Sequence, residues 1–236
     1  MVKNHLKRLY VSKSIVLSKK GLTFVTRPKP GQSSLTLGLS LAVLLRDFLK
    51  LANNMKEVKY ILSTYEVLVD GRRRKDPHFI TGFMDTLSLS HIKVYYRMLL
   101  SSKGNLYVKP ISAEEAKIKV CKIIGKSINH KKIQLNLYDS KNILVDKGSY
   151  HVGDSVVVQL PANTIKETLV LKKGAMVMLI GGKHRGRIGA VESITGTKLS
   201  YKRLSGTVFS TEKKYAFVIG SGKDNLALTI DKPLAP

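Results

Sequence analysis

The sequence predicts an α+β, multi-domain protein: a basic N-terminal arm, a small helix-and-hairpin domain, a β-rich centre and a glycine-rich β segment toward the C-terminus. Three observations lead there. Residues 1–46 hold nine bases and no acid. Helical periodicity begins at Ser40 and lasts little more than twenty residues. From residue 90 onward, strand-like alternation repeats between short turn signals.

The arm, residues 1–38, mixes bases, glycine and proline (RPKPGQSS) with short apolar pairs such as Phe24 and Val25. It reads as an extended segment with one short hairpin, which buries little surface by itself and orders against a polyanion. Residues 39–90 follow as a compact unit. Leu41, Leu44, Leu45, Phe48 and Leu51 or Ala52 fall on one helical face behind Ser40, a good N-cap. Asn53 and Asn54 interrupt that helix and cap a second, with Met55, Val58, Ile61 and Leu62 on its apolar face and Lys56 and Lys59 on its polar face. The stretch VLVDGRRRKDP then gives alternating Val67 and Val69, and Asp70-Gly71 as a two-residue hairpin turn. Four consecutive bases, Arg72 to Lys75, leave that turn before Pro77.

Residues 91–170 read as a β-rich domain. KVYYRMLLS and NLYVKPI flank the turn SKGN, SAEE at 112–115 is a capping box for one short helix, and KIKVCKII, KKIQLNLYD, NILVD and SVVVQL follow, with Pro161 closing the set. No paired carboxylates and no Ser/His/Asp set with supporting local sequence occur there, so no catalysis is assigned to it. Tyr95 and Tyr96 are expected to be half-buried rather than to stack on bases.

In the last segment, 171–236, the run AMVMLI leads into GGKHRGRIGAV, which invites comparison with a phosphate-binding loop. A Walker-type loop needs Lys and then Ser or Thr after its last glycine, and must open a helix so that backbone N–H groups meet the phosphates. Here Arg187 and Ile188 occupy those places, and the following IGAVESITGTKLSY reads as strand and turn. GSGKD at 220–224 fails too, because Asp224 replaces the hydroxyl residue. A nucleotide-hydrolysing function is excluded on these grounds.

Charge dominates the composition: 41 Lys and Arg against 16 Asp and Glu, a formal net charge of +25 and a pI of about 10.1. A surplus of that size repels itself in the compact state and points to a polyanionic partner. It lies mainly at the two ends. Residues 171–236 carry twelve bases against four acids, whereas the longer stretch 77–170 carries thirteen against seven. Cys121 is alone, which excludes an internal disulfide and a cysteine metal cluster, and the six histidines show no ligand spacing. The longest apolar run, LTLGLSLAVLL at 35–45, is too short to span a bilayer and stands behind the basic arm, a poor fit to a secretory signal. A cytoplasmic protein with no metal and no cofactor is expected.

The order R-D-x-x-L, a capped second helix, V-x-V-D-G, a proline, and G-x-x-D at Gly82 and Asp85 resembles the S4-type RNA-binding domain. Asn54, Met55 and Lys56 stand where that family usually opens its second helix with a Ser-Arg pair. The spacing K-x-G-x-x-V-x-L-I-x-G-x-x-x-G-x-x-G-x-V from Lys172 to Val191 resembles the KOW motif of small SH3-like barrels. With HLKRL, VTRPKPG, VLVDGRRRKD, KIQLNLYD and FVIG, the whole chain resembles the small-subunit ribosomal protein S4e family, and its early end after FVIG resembles the archaeal members.

That resemblance implies an S4-type domain over 39–90 and an SH3-like KOW β-barrel over 171–236. It also implies a non-catalytic constituent of the small ribosomal subunit, with ribosomal RNA and neighbouring small-subunit proteins as partners and neither a membrane nor a small-molecule substrate. The implied RNA contacts are Lys3, Lys7, Arg8, Lys13, Lys19, Lys20, Arg27 and Lys29 in the arm, and Arg46, Lys50, Lys56, Lys59 and Arg72, Arg73, Arg74 and Lys75 on the S4-type face. Lys183, His184, Arg185 and Arg187 complete the set, projecting from the KOW loop toward phosphates. The rival readings are a KOW-bearing transcription elongation factor and an S4-domain RNA-modifying enzyme. The first has no need of an acid-free arm, and the second needs a synthase domain for which the residues after 90 offer neither length nor motif.

Overall fold

The computed structural model describes residues 4–130, 132–146, 148–203 and 206–221. The chain divides into two compact units. One holds the residues up to Leu99 together with Asn105–Lys117, and the other holds Leu100–Gly104 and the chain from Ile118 onward.

In the first unit, β1 (Gly38–Ser40) runs into a single α-helical turn, α1 (Leu41–Val43), capped by the Ser40 hydroxyl, which accepts from the Val43 amide. A π-helical turn (Leu44–Phe48) continues it. The helix expected to run to Ala52 stops here because Lys50 takes a left-handed conformation (φ 54), which an α-helix does not propagate. Helix α2 (Met55–Thr64) begins at Asn54, whose side chain accepts from the Glu57 amide at 3.0 Å while the Glu57 carboxylate accepts from the Asn53 amide at 2.7 Å. One orphan donor of the first turn, the Glu57 amide, is thereby satisfied, and the Glu57 side chain in return secures the residue before the cap. Val58 and Leu62 point into the core.

Strands β2 (Val67–Val69) and β3 (Arg72–Arg73) form the hairpin expected from Asp70-Gly71. Both turn residues have positive φ, 51 and 72, as a type I′ turn requires. The non-glycine member is held there because the buried Asp70 carboxylate accepts from the Thr86 amide at 3.1 Å. Strand β4 (Ile80–Gly82) pairs with β1, and β5 (Thr86–Leu89), β6 (Val94–Leu100) and β7 (Leu106–Ile111) complete a five-stranded sheet in the order β3-β2-β5-β6-β7. The hairpin β6–β7, read from sequence as the start of the β-rich centre, thus belongs to the first unit's sheet. Its pairing, with Leu87 opposite Tyr96, joins sequence-adjacent strands as short connections favour. Arg97 is buried in β6, donates to the Glu115 carbonyl at 2.7 Å and has its guanidinium drawn down to about 10 by burial, against the charges of Glu115 and Asp70.

The arm is ordered by its own contacts rather than left extended. Lys7 and Phe24 form an antiparallel bridge, flanked by the Arg8 amide on the Thr23 carbonyl and the Val25 amide on the Leu6 carbonyl, each at 2.9 Å.

The second unit is two five-stranded antiparallel sheets. One, in the order β10-β9-β8-β11-β12, uses β8 (Ile118–Asn129), β9 (Lys132–Leu137), β10 (Asn142–Val145), β11 (Ser155–Gln159) and β12 (Thr164–Leu169). Its core is Cys121, Ile123, Leu135, Leu137, Val156 and Val158. Strand β12, TIKETL, lies beyond Pro161, the residue expected to close the set. Asn163 (φ 59) reverses the chain, and β12 pairs back along β11 with Val157 opposite Glu167. The other sheet, in the order β16-β15-β14-β13-β17, uses β13 (Met176–Leu179), β14 (Ile188–Thr195), β15 (Lys198–Arg203), β16 (Val208–Glu212) and β17 (Ala216–Gly220).

The described chain is therefore mostly β and multi-sheet, with less helix than an α+β reading expects. None of its described helices is long and apolar enough to cross a membrane, and no group of three metal-ligating side chains occurs among the described residues.

Lys122 links the two sheets of the second unit. From β8 its buried ammonium donates to the carbonyls of Lys214 at 2.7 Å and Ala216 at 2.6 Å, where β17 begins. Burial, reinforced by Lys213, pulls its pKa from the ordinary 10.5 to about 8. The folded state gives up this proton before the unfolded chain does. The burden of the buried charge is thus complete below about pH 8 and is relieved as pH rises toward 10.5. Chemical denaturation of wild type and Lys122→Met at pH 7 and pH 10 checks this. The stability difference is expected to move in favour of the wild type at the higher pH, and an identical difference at both pH values contradicts it.

Candidate nucleic-acid interface

Eleven of the residues singled out from sequence present exposed basic side chains: Lys7, Lys13, Lys19, Lys20, Lys29, Lys50, Lys56, Lys59, Arg72, Arg73 and Lys75. Lys183 makes a twelfth, and Lys3 lies outside the described residues. The fold explains their exposure. Lys56 stands on the side of α2 opposite the buried Val58 and Leu62, Lys59 stands on its exposed flank, and Arg72 and Arg73 lie on β3, an edge strand. Arg73 donates to the Ser63 carbonyl at 3.2 Å, which holds the basic hairpin against the C-terminal turn of α2. Of the twelve, only Lys29 pairs with a carboxylate among the described residues, at 2.6 Å from Asp76. Burial alone would push the Asp76 carboxyl up, but the Lys29 hydrogen bond, the His78 amide and the charges of Lys29 and His78 hold it below its ordinary value.

Five other predicted contacts bond or pack against the fold itself. Arg8 donates to the carbonyls of Leu22 and Ser18, both at 2.9 Å, and so ties together the two limbs of the arm. Arg27 lies 3.4 Å from the His5 carbonyl. Arg46 is largely covered and bound to Asp47 at 2.8 Å. Arg74 lies with its guanidinium carbon 4.3 Å from the centre of the Phe79 ring, its Nε buried. Such a cation over an aromatic face is held by the ring's quadrupole. Arg185 is the fifth.

The KOW-like loop differs most from expectation. Of its four basic residues only Lys183 is exposed. Arg187 donates to His184 Nδ1 at 2.9 Å, and both pack on Phe209, the His184 ring at 4.8 Å and the Arg187 guanidinium at 5.9 Å from its centre. That hydrogen bond requires neutral histidine, and burial together with the charges of Arg187, Lys183 and Arg203 lowers the His184 pKa. Arg185 folds back toward Gly104 and Tyr138. Its Nε and one terminal nitrogen are buried, and burial, partly offset by Tyr138, draws its pKa down. The expected row of four phosphate-facing cations is one cation above a packed aromatic cluster.

The glycines explain how the loop lies so close to its neighbour. Gly186 is buried with φ +80, and a Cβ there would sit 1.8 Å from the Ser101 carbonyl oxygen. A side chain would meet both a hard backbone clash and a disfavoured conformation. The helix of a nucleotide loop has no counterpart, because β14 follows the loop. The second glycine stretch, GSGKD, lies mostly outside the described residues.

The sequence pattern assigns Tyr60 no role, although it is the exposed aromatic of α2 and stands four residues from Lys56, on the same helical face. Tyr95 and Tyr96 are half-buried on β6.

Gly186→Ala is expected to destabilise the protein by about 3 kcal/mol or more, while Lys183→Ala stays within about 0.5 kcal/mol of wild type. Urea unfolding of both variants checks this, and equal stabilities would contradict the close-approach account.

Comparison with known proteins agrees with this architecture. The family model described as Ribosomal family S4e matches residues 92–165, and that of the KOW motif matches residues 173–209. The small ribosomal subunit protein eS4 of Methanothermobacter thermautotrophicus is 36% identical over 233 residues, covering 96% of each chain. That of Nanoarchaeum equitans is 40% identical over 205 residues, covering 86% of this chain and 87% of its own. Among solved structures, the crystal structure of the 30S ribosomal protein S4e from Thermoplasma acidophilum aligns with a TM-score of 0.68 at 28% identity, over 80% of this chain and 98% of that one. By these full-length relationships, the chain belongs to the S4e family of ribosomal proteins.

Proposed function

We propose that this chain is a non-catalytic, structural constituent of the small ribosomal subunit in the cytoplasm, held there by ribosomal RNA and by neighbouring small-subunit proteins. The relatives' names support the assembly, and one structural observation carries the RNA contact. Exposed bases stand on the arm, on α2 and its hairpin, and on the glycine loop, and all but Lys29 lack a carboxylate partner among the described residues. Each such base that meets a phosphate releases condensed counterions, so affinity comes from many small, salt-sensitive contacts rather than from one pocket. Lysines on a rigid helix and hairpin fix position and register and carry no direct reading of sequence. The shape of folded RNA sets the specificity.

The arginines that bond or pack against the fold stabilise the elements that carry the exposed bases. In this reading Arg8 braces the arm beneath Lys13, Lys19 and Lys20, and Arg74 braces the hairpin beside Arg72, Arg73 and Lys75.

A sucrose-gradient profile of cell lysate tests the assembly: the protein is expected with small subunits, and migration free or with RNA polymerase overturns the reading. The combined variant Arg72→Ala, Arg73→Ala, Lys75→Ala, which spares the packed Arg74, tests the surface. Its binding to small-subunit ribosomal RNA is expected to weaken, with the slope of log affinity against log salt reduced by roughly one for each phosphate no longer neutralised. An unchanged slope removes the hairpin from the interface.

A further inference from the structure

We propose that Tyr60 is a stacking platform for an unpaired base of the RNA, so that the α2 face grips single-stranded or extruded nucleotides and not only duplex phosphates. This rests on the RNA-binding reading above and adds the chemistry of the ligand.

The residue is 61% exposed although it sits in the middle of a helix. Its one aromatic neighbour among the described residues is Tyr65, whose ring lies 6.3 Å away at 88°, so the two rings do not stack face to face. Tyr65 is itself fixed, stacked on His91 at 4.4 Å and 24°. The cleft beside this pair, lined by Leu51, Ile61, Tyr65, Leu89 and Ile92, holds only about 130 Å³. Ligand pockets usually run to several hundred. A base is therefore not enclosed there and can only stack on the outer ring.

Cations stand at the same stretch of α2 as that ring. Lys56 precedes it by one helical turn on the same face. Toward the C-terminal end of α2, Arg73 donates to the Ser63 carbonyl, three residues beyond Tyr60 in the chain. An exposed aromatic ring on a helix that also presents a lysine and receives an arginine is the kind of arrangement by which proteins take single-stranded nucleic acid, with the ring under the base and the cations on the flanking phosphates.

Binding of a fluorescent twelve-nucleotide single-stranded RNA and of a duplex of the same length, measured across salt concentrations with the full chain, tests the proposal. Tyr60→Ala is expected to weaken single-strand binding on the order of tenfold with the salt slope unchanged, because no charge is removed. Tyr60→Phe should restore wild-type affinity, Tyr60→Leu should not, and duplex binding should stay the same. If the wild type binds but Tyr60→Ala binds single strands equally well, the stacking site is wrong and the RNA-binding reading stands. If the wild type binds neither RNA, both fall. Unchanged RNA affinity with reduced incorporation of Tyr60→Ala into small subunits assigns the ring to a protein neighbour and overturns the proposal.

Discussion

A chain with 41 bases and 16 acids must fold against its own repulsion, and the placement of the few acids is the constraint on which the structure depends. Several of those acids are held inside. Asp139, buried, lies 3.1 Å from the fully buried Lys119 and 3.3 Å from Lys141. Asp70 fixes the hairpin turn and lends its charge to the buried Arg97. Asp85 accepts from the Gly82 amide and from Gln32, each within 2.7 Å, and Asp154 accepts from the amides of His151 and Leu171. Carboxylates that neutralise interior cations and satisfy interior donors cannot also neutralise the surface. The surplus is left on exposed lysines and arginines.

The same economy separates two classes of arginine. Arginine's planar fork and weak hydration suit it to buried or stacked positions, while lysine's compact, strongly hydrated ammonium stays in water. Arg8, Arg46, Arg74, Arg97, Arg185 and Arg187 all brace the fold through carbonyls, a carboxylate, an aromatic face, a histidine or enclosing neighbours. Most of the exposed surplus is lysine, with Arg72 and Arg73 on their edge strand as the exceptions. Lys119 and Lys122 break the pattern: the first is buried against Asp139 and the second sits under carbonyls with its pKa drawn down to about 8.

Much of the local structure was legible in the sequence because its causes are local. Ser40 and Asn54 cap helices, Asp70-Gly71 makes a turn, and the glycine loop opens a strand rather than a helix, each decided by a few neighbouring residues. What escaped depends on partners distant in sequence or on side-chain direction. TIKETL did not read as a strand because its exposed face is polar and its pairing is supplied by β11. The grouping of β6–β7 with the first unit is a matter of which edge needed a neighbour. Charge runs gave the identity of the cations but not which ones pack against the fold, since that depends on Phe79, Phe209 and Asp47 lying beneath them. Tyr60 hid in the polar face of α2 because helical periodicity marks an exposed aromatic as an irregularity rather than as a site.

The central claim is that the exposed bases of the arm, α2 and its hairpin form one RNA-facing surface, and crosslinking mass spectrometry of intact small subunits tests it most directly. The account predicts RNA crosslinks on peptides containing Lys19 and Lys20, Lys56 to Tyr60, and Arg72 to Lys75. Crosslinks confined to other segments, or found only between these peptides and neighbouring proteins, would contradict it.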